Sequence, residues 1–134
     1  MNKNRSWIDA NIILHFLLKD DEKLFEASFN LFEQAEKGDL VLHIHPLTVA
    51  EVIWTLESFY GYEKNEIAAV FGGLLESEGL QVESLEVVRK AIGDYVGENV
   101  DFIDAFLAAY AALIGPAAIY TFDKKHLSKL EGDL

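Results

Sequence analysis

Short apolar runs alternate with segments of helical periodicity, and this alternation constrains the fold of the chain more than any other feature. The apolar runs predict strands at residues 6–9, 40–45, 80–82 and 118–122. The periodic segments predict helices at 10–18, 22–36, 48–60, 63–77, 84–96 and 101–114. Such alternation is typical of a mostly parallel sheet of four or five strands with helices on both faces. We therefore expect a three-layer α/β/α sandwich.

The length and composition of the chain fit one domain and exclude several kinds of site. The 134 residues contain no internal repeat or linker, so we expect a single domain over residues 1–134. The chain has no cysteine, which excludes disulfides, thiolate zinc sites and cysteine nucleophiles. Oxygen ligands and histidine remain for a metal. The net charge of −12 argues against a general phosphate-binding surface, so any contact with nucleic acid would be local.

Neither a secretion signal nor a membrane span is expected. Residues 1–6 are polar, and no apolar stretch of sufficient length follows them. The most continuously apolar segment, 105–114, is far shorter than the roughly 20 residues that a span needs. We expect a soluble protein, and the lack of cysteine is compatible with a cytoplasmic location.

Four carboxylates, Asp9, Glu51, Asp104 and Asp123, lie where an apolar run gives way to a helix or where a helix begins. In a parallel α/β sheet such junctions lie along one edge, so the four side chains could meet in one pocket. At about 4 Å and an effective dielectric constant near 20, each pair of like charges costs on the order of 4 kcal/mol. Such a cluster favours a bound cation or raised pKa values. The pattern thus indicates a site for a hard cation.

Each of these acids also has a local structural explanation, because acids at helix starts cap free backbone amides. Asp9 precedes a helix and could be its cap, although Asn11 would place a second oxygen donor beside it. Thr48 and Glu51 have the spacing of a capping box, which local reasoning alone favours. Asp123 suits a cap or a local ion pair as well as it suits a functional role.

Asp101 and Asp104 begin a helix that is otherwise apolar, which predicts that this helix is buried. Asp101 is placed to be the N-cap, and Asp104 then lies inside the first turn, where an acid needs a partner. Capping alone gives no reason for acids at three strand exits and on a buried helix. The set as a whole therefore favours the cation site.

Four short segments, in this order and spacing, resemble the PIN-domain ribonucleases, and the chain is most similar in size to VapC-type toxins of toxin–antitoxin pairs. The segments are IDANI at 8–12, TVAEV at 48–52 followed by Trp54, DFIDA at 101–105, and TFD at 121–123. Together they extend over nearly the whole chain, and the set is much more specific than any one of them.

The resemblance implies roles for particular residues. Asp9, Glu51, Asp104 and Asp123 match the family's four catalytic acids, Asn11 and Thr48 match supporting polar positions, and Asp101 matches an acid that could be an additional ligand. The resemblance further implies that the protein uses Mg²⁺ or Mn²⁺, cleaves RNA to leave a 5′-phosphate and a 3′-hydroxyl, forms a homodimer, and is inhibited by a small cognate antitoxin. We hypothesise that the first three acids hold the metal or orient its waters, while Asp123 directs the attacking water or a second ion.

Two basic or histidine-rich features have competing interpretations. Lys124 and Lys125 form a local basic patch beside Asp123, which could grip an RNA phosphate, and a solvated helix face explains them equally well. His43 and His45 lie two apart on a strand, where packing near the sheet edge is favoured over a metal pair.

The aromatic residues also allow more than one role. For Trp7, Trp54, Phe59 and Tyr60 the favoured role is in the core or at a dimer contact rather than in base stacking. Phe25, Phe29 and Phe32 form a stripe that could pack on the core or receive an antitoxin helix.

Two other functions remain open on sequence grounds. A PIN-like chain without activity could act as a protein-binding scaffold, although retention of all four acids argues against this. A phosphate-ester hydrolase with a nucleophilic aspartate is less favoured, because Asp9-Ala10-Asn11 lacks the second aspartate that such enzymes use. Glycine-rich phosphate loops and GxSxG elbows are absent from the sequence.

Overall fold

The computed structural model describes residues 4–115, in which three strands and six helices follow one another. The strands are β1 Asn4–Trp7, β2 Leu40–Ile44 and β3 Leu80–Val82. The helices are α1 Ala10–Leu18, α2 Glu22–Glu36, α3 Pro46–Ser58, α4 Lys64–Leu74, α5 Leu85–Gly97 and α6 Phe102–Leu113. The predicted strand at 118–122, together with Asp123, Lys124 and Lys125, lies outside the described residues.

The three strands form a parallel sheet in the order β1-β2-β3. Trp7 pairs with His43 across the first two strands, and Leu42 pairs with Leu80 across the next two. The central strand is buried almost throughout, as a parallel strand covered by helices should be. The predicted α/β architecture is confirmed, and residues 4–115 contain three strands where four or five were predicted for the whole chain.

Helices α1 and α2 each begin after an aspartate, and the cap at Asp9 was anticipated from the sequence. The backbone N–H of Ile12 donates to Asp9 Oδ1 at 3.2 Å, and the N–H of Leu24 donates to Asp21 Oδ1 at 3.0 Å. Each bond satisfies one of the amides that have no partner inside a helix. The predicted bounds 10–18 and 22–36 are confirmed.

Helix α3 begins two residues earlier than predicted, and this corrects the capping-box interpretation of Thr48 and Glu51. The N-cap is His45, whose Nδ1 accepts the N–H of Leu47 at 3.0 Å, and Pro46 is the first helical residue. Proline fits that position because its fixed φ is helical and no N–H is needed there. Glu51 therefore does not cap α3. A capping box forms instead at α4, between Glu63 and Glu66.

Close packing requires a glycine at position 79, directly before β3. Gly79 has a φ of +82°, and a Cβ added there would lie 2.3 Å from the carbonyl oxygen of Ala35 on α2. Its own carbonyl accepts the N–H of Leu42 at 2.8 Å, which places β3 beside β2. Gly72 and Gly73 on α4, by contrast, have open space around both Cβ positions.

The core lies between the sheet and the helices and includes one side of α6. Ala105, Ala108 and Ala109 are buried there, and their small size allows close contact with α5. The other side of α6 exposes large apolar side chains, so the prediction that this helix is buried holds for one face only. None of the helices within residues 4–115 has the length and apolarity that a membrane crossing requires.

Candidate functional site

Asp9 lies between β1 and α1, at the rim of a cavity of about 400 Å³. Its cap bond uses Oδ1, and the side chain is exposed. Because a carboxylate has two oxygens, capping through Oδ1 is compatible with a ligand at Oδ2. The predicted cap is therefore present, and it leaves the predicted functional role of this acid intact.

Glu51 lies on α3, is exposed, and lines a second cavity, of about 290 Å³, between α3 and α6. Since His45 caps this helix, capping no longer explains the presence of Glu51. Thr48 is half-buried one turn before it, so the two side chains share a helix face.

The two acids of α6 lie at its first turn, as predicted. Asp101 is the N-cap, and its Oδ2 accepts the N–H of Ile103 at 3.2 Å. Asp104 is half-buried in the first turn, where its charge complements the helix dipole. Asp101 lines the same cavity of about 290 Å³ as Glu51.

The structure thus brings two of the predicted acids, Glu51 and Asp101, to one cavity, while Asp9 lines another. Within residues 4–115, no group of three or more histidine or acidic side chains is arranged to hold a metal ion. The donor set is made of carboxylate oxygens, which suits Mg²⁺ or Mn²⁺. Mg²⁺ is commonly held by one or two carboxylates with several waters, so a closed cage of protein ligands is not what this chemistry requires.

A buried tyrosine beside this cavity was not predicted from the sequence. The hydroxyl of Tyr95 on α5 donates a hydrogen bond to the Glu57 carboxylate on α3. Burial raises the pKa of Tyr95 above its ordinary value, and the bond to Glu57 and the charges of Glu57 and Asp101 raise it further. Tyr95 therefore remains a hydrogen-bond donor at neutral pH and links α3 to α5.

Lys64 extends this link to the start of α6. Its ammonium donates to the carbonyl oxygens of Val100 at 2.8 Å and Tyr95 at 3.5 Å, and it lies 4.4 Å from the centre of the Tyr95 ring. Val100 directly precedes Asp101, so the contact fixes the backbone from which that acid extends. These partners are 31 to 38 residues apart in sequence, and no local pattern reveals such pairs.

His43 and His45 are engaged by neighbouring side chains. The Nδ1 atom of His45 accepts the backbone N–H of Leu47, which places the ring proton on Nε2. The Nε2 atom lies 3.2 Å from Glu83 Oε2. Both ring nitrogens are therefore in use. His43 Nε2 lies 3.4 Å from an Arg5 guanidinium nitrogen, and its ring lies 5.2 Å from that of Trp7.

The four aromatic residues that were expected in the core or at a dimer contact are all exposed in the single chain. Trp7 is 60%, Trp54 65%, Phe59 76% and Tyr60 42% exposed, so a place in the core is the wrong interpretation. On α3 the reason is geometric: Val49, Val52, Ile53 and Leu56 form the buried face, and Trp54 lies off it.

The phenylalanine stripe of α2 meets a residue of α1 at a third cavity. Phe32 lies 4.5 Å and Phe25 6.0 Å from the ring of Phe16, measured between ring centres, while Phe29 is exposed. Phe16 and Phe32 line a cavity of about 460 Å³ that continues to Leu74 and Leu80. The stripe thus both packs against α1 and borders an open cavity whose lining also includes Glu36, Ser77 and Glu78.

Comparisons with known proteins identify the family of the chain. A family model described as PIN domain matches residues 7–132. A protein of Aquifex aeolicus (strain VF5) named VapC ribonuclease is 25% identical over 118 residues, which cover 88% of this chain and 87% of that protein. No solved structure gives a significant match.

Proposed function

We propose that this chain, which belongs to the PIN-domain family, is a divalent-metal-dependent endoribonuclease and the toxin of a toxin–antitoxin pair. The observation that carries the proposal is that the family match, over residues 7–132, spans Asp9, Glu51, Asp104 and Asp123. A similar protein that carries the name VapC ribonuclease, aligned over most of both chains, supports the choice of RNA as substrate. RNA and a cognate antitoxin would both be met in the cytoplasm.

In the proposed reaction, the acids prepare a water molecule for attack on an RNA phosphate. Bound Mg²⁺ or Mn²⁺ would supply a hydroxide near neutral pH and would stabilise charge on the phosphate. Asp9, Glu51 and Asp104 would hold the ion or orient its waters, with Asp101 as a further ligand. Asp123 would direct the attacking water, so that the oxygen of water joins the phosphate and the 3′ oxygen leaves with a proton. The products are a 5′-phosphate and a 3′-hydroxyl.

Two supporting positions would act through the acids. Thr48 lies one helical turn before Glu51, where its hydroxyl could orient that carboxylate. Asn11 lies in the first turn of α1 beside Asp9 and adds an amide oxygen at the same junction.

Lys124 and Lys125 would contact a phosphate of the substrate, which would offset locally the repulsion expected from a net charge of −12.

The antitoxin would bind the apolar surface that α1 and α2 share. Phe29 and Leu24 are exposed on α2, and the cavity of about 460 Å³ beside Phe32 offers room for an inserted side chain. An amphipathic helix commonly binds such a groove through apolar side chains at helical spacing.

The homodimer would form through the outer face of α6. Leu107, Tyr110 and Ile114 are exposed at helical spacing on that face. Contiguous apolar side chains on a small protein often mark a contact with another chain. The buried alanines on the opposite side of α6 hold this face outward.

The experiment that tests the proposal is incubation of the purified chain with structured RNA and Mn²⁺, with and without chelator. We expect cleavage only with the ion, and 5′-phosphate ends on the products. Asp104→Asn should abolish cleavage in a folded protein, while Asp39→Asn, an exposed acid in the turn before β2, should leave it intact. No cleavage by the wild-type chain would favour an inactive scaffold, and hydrolysis of a generic phosphomonoester instead of RNA would favour the hydrolase alternative.

A further inference from the structure

The cavity of about 290 Å³ between α3 and α6 combines exposed apolar side chains with carboxylates. Trp54 and Ile103 line it from the two helices, and Glu51, Glu57 and Asp101 also border it. We propose that this cavity binds one unpaired nucleobase of the RNA, and that it prefers a base with an exocyclic amino group. The inference rests on the proposed function, and it names the part of the substrate that lies beside Glu51.

Trp54 and Ile103 are placed to hold a planar ring. Trp54 follows Glu51 by one helical turn and is 65% exposed, whereas the preceding Ile53 is buried. Ile103 is 55% exposed, whereas the preceding Phe102 is buried and lines the same cavity. A base that stacked on the indole and contacted Ile103 would remove both apolar surfaces from water.

The charges around the cavity decide which part of the RNA can enter. Carboxylates accept hydrogen bonds and cannot donate them when ionised. In the proposed reaction Glu51 and Asp101 would face the ion that acts on the phosphate, whereas Glu57 has no such ion assigned, so its charge would repel a further phosphate and suits a neutral base beside Trp54. Adenine, cytosine and guanine each offer an exocyclic amino group as donor, whereas uracil offers carbonyl acceptors in its place. We therefore expect adenine and cytosine to bind better than uracil.

The same charges argue against a second copy of this chain as the occupant. A two-fold contact centred on the cavity would bring identical surfaces together, so the three carboxylates of one copy would meet those of the other. Like charges at such a contact oppose association. The apolar residues Leu107, Tyr110 and Ile114, through which we propose the dimer, lie further along α6 and do not line this cavity.

Trp54 itself can report binding. The chain has two tryptophans, so in a Trp7→Phe background Trp54 is the only one. Fluorescence of this variant would be followed during titration with single-stranded oligo(A), oligo(C) and oligo(U). Ca²⁺ would replace Mg²⁺, gels would verify that the RNA remains intact, and the anisotropy of end-labelled RNA would measure total binding.

We expect oligo(A) and oligo(C) to quench Trp54 emission and to bind several-fold more tightly than oligo(U). Trp54→Ala should weaken oligo(A) binding by about 5- to 100-fold, the usual effect of losing one stacking side chain. Ile103→Ala should weaken it less. Phe59→Ala removes an exposed aromatic side chain near the end of α3 that does not line the cavity, and it should leave affinity unchanged.

Two results would overturn this inference while the proposed function stands. In the first, RNA binds and is cleaved, yet Trp54 emission does not change and Trp54→Ala has wild-type affinity. In the second, Trp54→Ala converts a dimer to a monomer without changing the RNA affinity per chain, which would identify a second copy as the occupant. A wild-type chain that neither binds nor cleaves RNA would overturn the proposed function and this inference together.

Discussion

Replacement of Tyr95 by phenylalanine tests the link between α3 and α5 with the smallest available change. Tyr95 is 1% exposed, and Tyr95→Phe removes only the hydroxyl that donates to Glu57. A hydrogen bond to a charged group contributes about 1.5 to 3 kcal/mol to stability. Because Glu57 is exposed, water would replace the lost donor, and we expect the lower end, about 1.5 kcal/mol.

Urea unfolding followed by circular dichroism measures this loss. With a denaturant slope of roughly 1.5 to 2 kcal/mol/M, the midpoint for Tyr95→Phe should fall by about 0.7 to 1 M. Tyr60→Phe is the matched control, since Tyr60 is an exposed tyrosine whose hydroxyl has no hydrogen-bond partner within residues 4–115. Glu57→Gln keeps an acceptor but removes the charge, so the double variant isolates the coupling between the two residues.

The same bond predicts a pH dependence with a definite sign. The pKa of Tyr95 is raised above its ordinary value of 10.0, so the folded protein keeps a proton that the unfolded chain loses. The stabilisation is complete below pH 10 and is lost as the pH rises through the folded pKa. Above pH 10 the wild-type free energy of unfolding should fall relative to Tyr95→Phe by up to about 1.4 kcal/mol per pH unit. Equal urea midpoints for the wild type and Tyr95→Phe at pH 7 would show that the Tyr95 hydroxyl does not stabilise the fold. Parallel dependences of their free energies of unfolding on pH above pH 10 would show that the pKa of Tyr95 is not raised.

Three further predictions concern packing and the two proposed partners. Gly79→Ala should destabilise the fold by at least about 2 kcal/mol because the added Cβ would overlap Ala35. Gly72→Ala, in open space on a helix, should instead stabilise the fold by about 0.5 to 1 kcal/mol. Chemical denaturation compares the two variants, and equal effects would show that Gly79 is not closely packed. Phe29→Ala should weaken antitoxin binding at least several-fold in calorimetry without loss of folding, and unchanged affinity would exclude that surface. Leu107→Glu should give a monomer in sedimentation equilibrium, and a persistent dimer would place the interface elsewhere.

The sequence predicted those features that depend on neighbouring residues. The cap of α1 at Asp9 and the bounds of α1 and α2 follow from their local patterns. The start of α3 was missed because Pro46 suits the end of a strand as well as the first turn of a helix. The capping box that the sequence suggested at Thr48 was lost with that shift.

Features that depend on distant contacts could not be predicted in the same way. Tyr95 lies within the predicted helix 84–96, but its partner Glu57 lies 38 residues away. The exposure of Trp54 is different, because it follows from the helical period of α3, in which Val49, Val52, Ile53 and Leu56 form the buried face. For the candidate site, the positions of Asp9 and Asp101 at the starts of helices were predicted, whereas Glu51 lies in the second turn of α3 and its pairing with Asp101 at one cavity required the structure.

A Mn²⁺ titration followed by electron paramagnetic resonance measures whether acids far apart in sequence share one divalent ion. We expect the wild-type chain to bind Mn²⁺, and Asp9→Asn, Glu51→Gln and Asp104→Asn each to weaken binding by tenfold or more. Asp39→Asn should bind as the wild type does. Wild-type affinity in all three site variants, with each protein shown to be folded, would exclude a shared ion.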